Sequence, residues 1–224
     1  MITATLLVDG NQVTAVGDMQ YSCGNGPSGA GGSFALSGQI DASGSFHLAP
    51  PPNLPGAGVQ LSIDGTVPSG GQPDWSGTYT LSDAPGYTSC LVSKTGSFTA
   101  TAFAPLNNTV YAGSVSSQFG TLDISVVLTE GAAVTQPNDA HLPVSGSITV
   151  SGSSCFSHGT TNAIAPGEME GDISSLRFEM DDGSHINFTG IFGSPDESTL
   201  QPVLVGVLGG QCSGQAYLGA MVRQ

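Results

Sequence analysis

The sequence predicts an all-β protein, an antiparallel barrel that is closed or nearly closed, with a two-sheet sandwich as the alternative. Three observations carry that prediction. Apolar and polar residues alternate through residues 2–6, 78–81 and 97–100, and no stretch sustains an apolar period near 3.6. The 33 glycines, abundant Ser and Thr and only 9% charged residues suit tight turns between polar-faced strands. One pattern also runs through the chain twice. The same step of 132 residues carries Cys23 to Cys155 and Phe46 to Phe178, segment 61–65 resembles segment 186–190, and Cys90 matches Cys212. Two tandem homologous halves fused into one domain are therefore expected, and closure is preferred because it removes the edges that so many strands expose.

In the first half, residues 1–104, strands are expected near 2–8, 12–21, 32–40, 45–49, 58–67, 74–82 and 95–103. In the second, residues 109–224, they are expected near 109–118, 121–129, 142–151, 157–164, 167–173, 176–181, 184–192, 200–208 and 214–222. Gly, Pro or Asx turns separate them. Residues 50–55 hold four prolines and form a rigid loop, because proline lacks the donor that a central strand needs. Residues 104–108 are the expected junction between the halves.

Four widely spaced cysteines without a C-x-x-C pair fit structural disulfides better than a zinc or redox site. Of the three possible pairings, the repeat selects Cys23–Cys90 with Cys155–Cys212, since equivalent positions should bond equivalently. The loops so closed span 67 and 57 residues, and each bond adds about 4 kcal/mol in the chain-entropy model.

Seventeen acidic residues stand against Lys94, Arg177 and Arg223, a formal charge of −14. Such a chain repels phosphate backbones and anionic membrane surfaces, which argues against nucleic acid as a partner. The longest apolar run, around 203–208, is far too short for a transmembrane helix. Disulfides imply export to the periplasm, the cell surface or the exterior. No charged n-region with an apolar h-region precedes Ile2, so an export signal has been removed or the sequence starts inside a longer natural protein.

Residues 144–156 (Val-Ser-Gly-Ser-Ile-Thr-Val-Ser-Gly-Ser-Ser-Cys-Phe), 76–80 and 95–100 resemble the recurring phrases of exported Gly/Ser/Thr-rich β lipoproteins of soil bacteria, of acidobacterial type. The resemblance spans nearly the whole chain and rests on low-complexity strand phrases. It implies an exported β protein with no assigned activity, and it transfers no catalytic residue. Members usually begin with a signal peptide and a lipid-bearing cysteine, and this sequence opens with neither.

The sharpest local constellation is the segment 167–182. A two-residue turn at Ser174 and Ser175 sets Asp172 opposite Arg177, Glu170 opposite Glu179 and Glu168 opposite Asp181. Met169, Gly171, Ile173, Leu176, Phe178 and Met180 then make the core side. Like charges facing each other across a sheet cost a few tenths to about 1 kcal/mol per pair. A calcium ion held by Glu168, Glu170, Glu179 and Asp181, supplemented by Asp182, would compensate them, although no EF-hand spacing is present; a solvated strand face screened by mobile counterions is the plainer reading.

Catalytic signatures are sparse. Neither G-x-S-x-G nor H-E-x-x-H occurs, and His47, His141, His158 and His185 are scattered. His185 with Asp181 or Asp182 is the first candidate for a hydrolytic site, against the plainer reading of a surface residue beside an Asp182–Gly183 turn. Trp75, the sole tryptophan, could stack on a sugar ring, but more often such a residue plugs the core.

The leading expectation is an exported, non-enzymatic envelope or extracellular module that binds a small lipophilic molecule or glycan, or is structural. The alternative is a calcium-dependent hydrolase of small esters or lactones, in which the cation polarises a carbonyl or a bound water and His185 acts as base. A mechanical surface protein that associates through an edge strand is the third reading.

Overall fold

The computed structural model describes residues 2–22, 29–50, 59–68, 74–83, 94–134, 141–152, 159–170, 172–194 and 196–224. These residues form strands and turns with no helix. The first seven strands are β1 (Ile2–Asp9), β2 (Gln12–Ser22), β3 (Gly29–Gln39), β4 (Ser45–Leu48), β5 (Val59–Thr66), β6 (Asp74–Asp83) and β7 (Lys94–Thr101). They are followed by β8 (Thr109–Ser117), β9 (Gly120–Glu130), β10 (Leu142–Ser151), β11 (Gly159–Asn162) and β12 (Gly167–Glu170). The last four are β13 (Ile173–Glu179), β14 (His185–Phe192), β15 (Thr199–Leu208) and β16 (Ala216–Arg223). The chain divides into two compact units, the first comprising Met1–Ala102 with Ala133–His141 and the second Phe103–Ala132 with Leu142–Gln224.

In the first unit β1, β2 and β3 form one antiparallel sheet, and β4 to β7 form another in sequence order. Isolated bridges from Ser37 to Ala49 and from Ile40 to Phe46 run between β3 and the β4 region. Period-two alternation sends Val13, Ala15, Leu36, Phe46, Leu48, Leu61 and Ile63 into one core. The Trp75 ring packs on this core, 5.5 Å from the Phe46 ring and tilted by 52°.

The second unit is a closed antiparallel barrel of eight strands, in the order β10-β12-β13-β14-β15-β16-β8-β9, with β9 pairing back onto β10. Barrel, not sandwich, is thus the architecture here. β11 and β12 pair with the same edge of β10: Ser147 opposes Asn162 and Val144 opposes Gly167. Five residue steps on one side against three on the other leave two residues in excess, which break this position into two short strands. Strict alternation along β13 buries Ser174, Leu176 and Phe178 and exposes Ser175, Arg177 and Glu179. The interior is filled by bulky side chains, among them Tyr111, Tyr217, Phe178 and Phe188, as the bore of an eight-stranded barrel permits. Pro202 falls where the β15–β16 register slips, between Leu200 and Val203, the kind of site where a missing backbone donor is tolerated.

The expected hairpin register is corrected. The chain reverses between Glu170 and Ile173, which oppose each other, so that Met169 opposes Ser174 and Glu168 opposes Ser175. Gly-Asp suits a two-residue turn better than Ser-Ser does. A turn at Ser174 and Ser175 would also have taken those residues out of the seven-residue ladder between β13 and β14. The core side is corrected with it: Ser174 is buried, whereas Ile173 is exposed.

Candidate functional site

The structure separates the residues expected to hold calcium. Glu168 lies level with Ser175 on β13, and Glu179 lies four residues further along, opposite His185. At 3.3–3.4 Å per residue the two carboxylate positions are about 13 Å apart along the sheet. Glu170 opposes Ile173, and Asp181 sits in the exposed turn that follows β13. No group of three or more His, Cys, Asp or Glu residues suited to a metal ion occurs among the described residues.

Asp182 serves its own turn. Its Oδ1 accepts the Ser184 amide at 2.9 Å and the Ser184 hydroxyl, bonds that hold its carboxyl below the usual range. Gly183 takes the left-handed conformation, at φ 78°, and donates to the Met180 carbonyl. This is the Asp182–Gly183 turn foreseen in the sequence. His185 lies opposite Glu179 and Leu208, and its Nδ1 is buried without a hydrogen-bond partner. Among the described residues no hydrogen bond joins His185 to Asp182, which is engaged with Ser184. Trp75 is half-buried, its ring tilted against that of Phe46. Cys212 is buried and is the described cysteine, while Cys23, Cys90, Cys155 and His158 lie outside the described residues.

The most unusual chemistry sits at the other end of the barrel and centres on Glu197. β14 ends at Phe192 and β15 begins at Thr199; between them Ser194, Asp196, Glu197 and Ser198 form a turn closed by the bonds Gly193 N–H to Thr199 O and Glu197 N–H to Ser194 O. Asp196 caps this turn by accepting the Ser198 amide and the Ser194 hydroxyl, chiefly the latter, which keeps its carboxyl below the usual range. Glu197 itself adopts a left-handed backbone, at φ 54°, an uncommon conformation for a side chain with a Cβ.

The Glu197 side chain is fully buried, and neither carboxyl oxygen has a hydrogen-bond partner among the described residues. Burial pushes its pKa up to about 7, reinforced by Glu130 and opposed by Arg223. Tyr111, also fully buried, donates its hydroxyl to the Glu197 carbonyl at 2.8 Å. Burial first, then the Glu197 charge, raises the Tyr111 phenol above its ordinary range. The Tyr111 ring packs 6.0 Å from Phe192, which lies 6.1 Å from Phe103. Glu130, half-buried at the end of β9, is likewise raised by burial, partly offset by the Leu106 backbone.

Sequence reasoning passed over this site. In so acidic a chain, a glutamate within Ser-Pro-Asp-Glu-Ser reads as a solvated turn residue, and no periodicity marks it for burial. The one available signal was Arg223, one of only three basic residues. It donates its amide to Ser198 O and its Nη1 to Asp196 O at 3.3 Å, so it brackets the turn from β16.

The chain matches no known family model, and a search of characterised proteins finds no match either.

Proposed function

We propose that the chain is an exported, non-catalytic module that binds a small molecule at the Glu197 end of the second unit's barrel. One observation carries this reading: a fully buried carboxyl whose two oxygens have no donor, held in a disfavoured backbone conformation at the mouth of a closed barrel. Orphaned buried polar groups of this kind are rare in folded proteins and mark places where a water, ion or ligand completes the structure. The fitting ligand brings N–H or O–H donors on a compact apolar body, because the neighbouring side chains Tyr111, Phe192 and Phe103 are aromatic. A glycan stacked on Trp75 is less well supported, since that ring already packs on Phe46.

Export is supported by four widely spaced cysteines without a C-x-x-C pair, read as structural disulfides, and by the acidic composition. The pairing Cys23–Cys90 with Cys155–Cys212, and kinship with the acidobacterial-type lipoproteins, belong to the same reading. Outward positions on the barrel include Thr121, Asp123, Ser145, Thr149, Ser175, Arg177 and Asn187, beside the exposed apolar residues Leu204, Leu218 and Val222 of β15 and β16. No helix among the described residues is long and apolar enough to cross a membrane.

The test is a thermal-shift panel of small amines, alcohols and lactams, run in parallel on the wild type and on Glu197→Gln. A compound that raises the wild-type Tm by several degrees and loses that effect in the variant supports the site. A panel in which every hit stabilises both proteins equally overturns it.

A further inference from the structure

Glu197 combines two costs that nothing within the closed turn offsets. Its carboxyl is fully buried with no hydrogen-bond partner among the described residues, and its backbone is in the left-handed region. A neutral acid tolerates such a place far better than a carboxylate does, because removing an ion from water without a partner is the dearest form of burial. We propose that the turn between β14 and β15 is a proton-operated latch: protonated Glu197 keeps it shut over the end of the barrel, and ionisation drives that side chain into water and opens the turn.

The surroundings of Glu197 set the direction. From β9, Glu130 repels an ionised Glu197. From β8, the Tyr111 hydroxyl is committed to the Glu197 carbonyl and not to its carboxyl. Within the turn Asp196 is exposed, its carboxyl engaged with Ser194 and Ser198. From β16, Arg223 alone attracts the ionised form, but its side chain is exposed and its Nη1 is engaged with the Asp196 carbonyl. Neither Glu130 nor the committed Tyr111 hydroxyl therefore stabilises the Glu197 carboxylate in the closed turn. The clasp to be undone is Tyr111 to Glu197 O, Arg223 N–H to Ser198 O, Arg223 Nη1 to Asp196 O, Glu197 N–H to Ser194 O and Gly193 N–H to Thr199 O. Opening needs no rearrangement of the eight barrel strands.

The latch stands whether or not a ligand is found for this end of the barrel, and its test uses none. Amide exchange is followed on the intact protein at pH 5.5 and pH 8.5 and expressed as protection factors, which removes the intrinsic pH dependence of exchange. In the wild type, protection at Gly193, Glu197 and Arg223 should fall at least tenfold between the two pH values, while the β13–β14 ladder amides at 186–188 hold. In Glu197→Gln the same three amides should stay protected at both. Equal protection at the two pH values in the wild type, or the same loss in Glu197→Gln, overturns the latch. If Glu197→Gln does not fold, the wild-type Glu197 carboxyl is titrated by its ¹³C shift. A midpoint at or above 6 together with the loss of protection upholds the latch, and one near 4.5 defeats it.

Discussion

The hydroxyl of Tyr111 donates a 2.8 Å hydrogen bond to the main-chain carbonyl of Glu197, 86 residues further along the chain. It pins a turn to the first strand of the barrel through one buried contact. Tyr111→Phe removes the donor while keeping the ring against Phe192. We expect a loss of about 1–3 kcal/mol, the cost of leaving a buried carbonyl unpaired. Urea unfolding at pH 5.5 measures it, and a change under about 0.3 kcal/mol would mean that the turn has another anchor.

Stability should fall as pH rises from 5 to 8. Glu197 has an ordinary pKa of 4.5 and is raised to about 7 in the native state, so across this window the folded chain binds more protons than the unfolded one. Its contribution is fully present below about pH 4.5 and is lost as pH passes through about 7; at 1.36 kcal/mol per unit, the fall is about 3 kcal/mol. Glu130 is raised by burial and acts in the same direction. Asp41, Asp182 and Asp196 are depressed by hydrogen bonds from neighbouring serines and act oppositely, but their stability is lost below about pH 4, outside this window. Denaturation curves of Glu197→Gln should be flatter between pH 5 and 8 than those of the wild type; parallel slopes would remove Glu197 as the cause.

Calcium added after exhaustive chelation should raise Tm no more than magnesium does. Glu168 and Glu179 lie about 13 Å apart along the sheet by the rise per strand residue, too far to share one ion. A calcium-specific rise of several degrees would show that the acidic residues converge after all.

Ser174 points into the barrel, and its hydroxyl has no partner among the described residues. Ser174→Ala should therefore be neutral or stabilising, by up to about 1 kcal/mol. A loss of stability greater than that would reveal a buried water or ligand on this hydroxyl.

Non-reducing peptide mapping should recover Cys155 joined to Cys212 and Cys23 joined to Cys90. Any crossed pair would remove the argument that equivalent positions in a repeat bond equivalently.

The strands were legible in the sequence because period-two alternation and Gly or Pro punctuation act locally. Apart from β12 and β13, whose boundary was misplaced, the strands among the described residues lie near the expected segments, and the Asp182–Gly183 turn was readable from its own residues. Phe46 and Phe178, matched by the repeat, are both buried on strands. The register of β12 against β13 was not legible. Choosing between a Gly-Asp and a Ser-Ser turn required knowing that β13 must pair along its whole length with β14, which is a tertiary constraint. The burial of Glu197 was hidden for a related reason: it depends on Tyr111 and Arg223, which neighbour it in space and not in sequence.

Residues 133–141 fall between β9 and β10 of the barrel, yet they belong to the first unit. The second unit is therefore interrupted in sequence, and one cut at the 102/103 boundary cannot release both units whole. Cleavage there would strip the first of its excursion and leave the second carrying a foreign insert. Whoever wishes to express one unit alone must splice the chain, not merely truncate it.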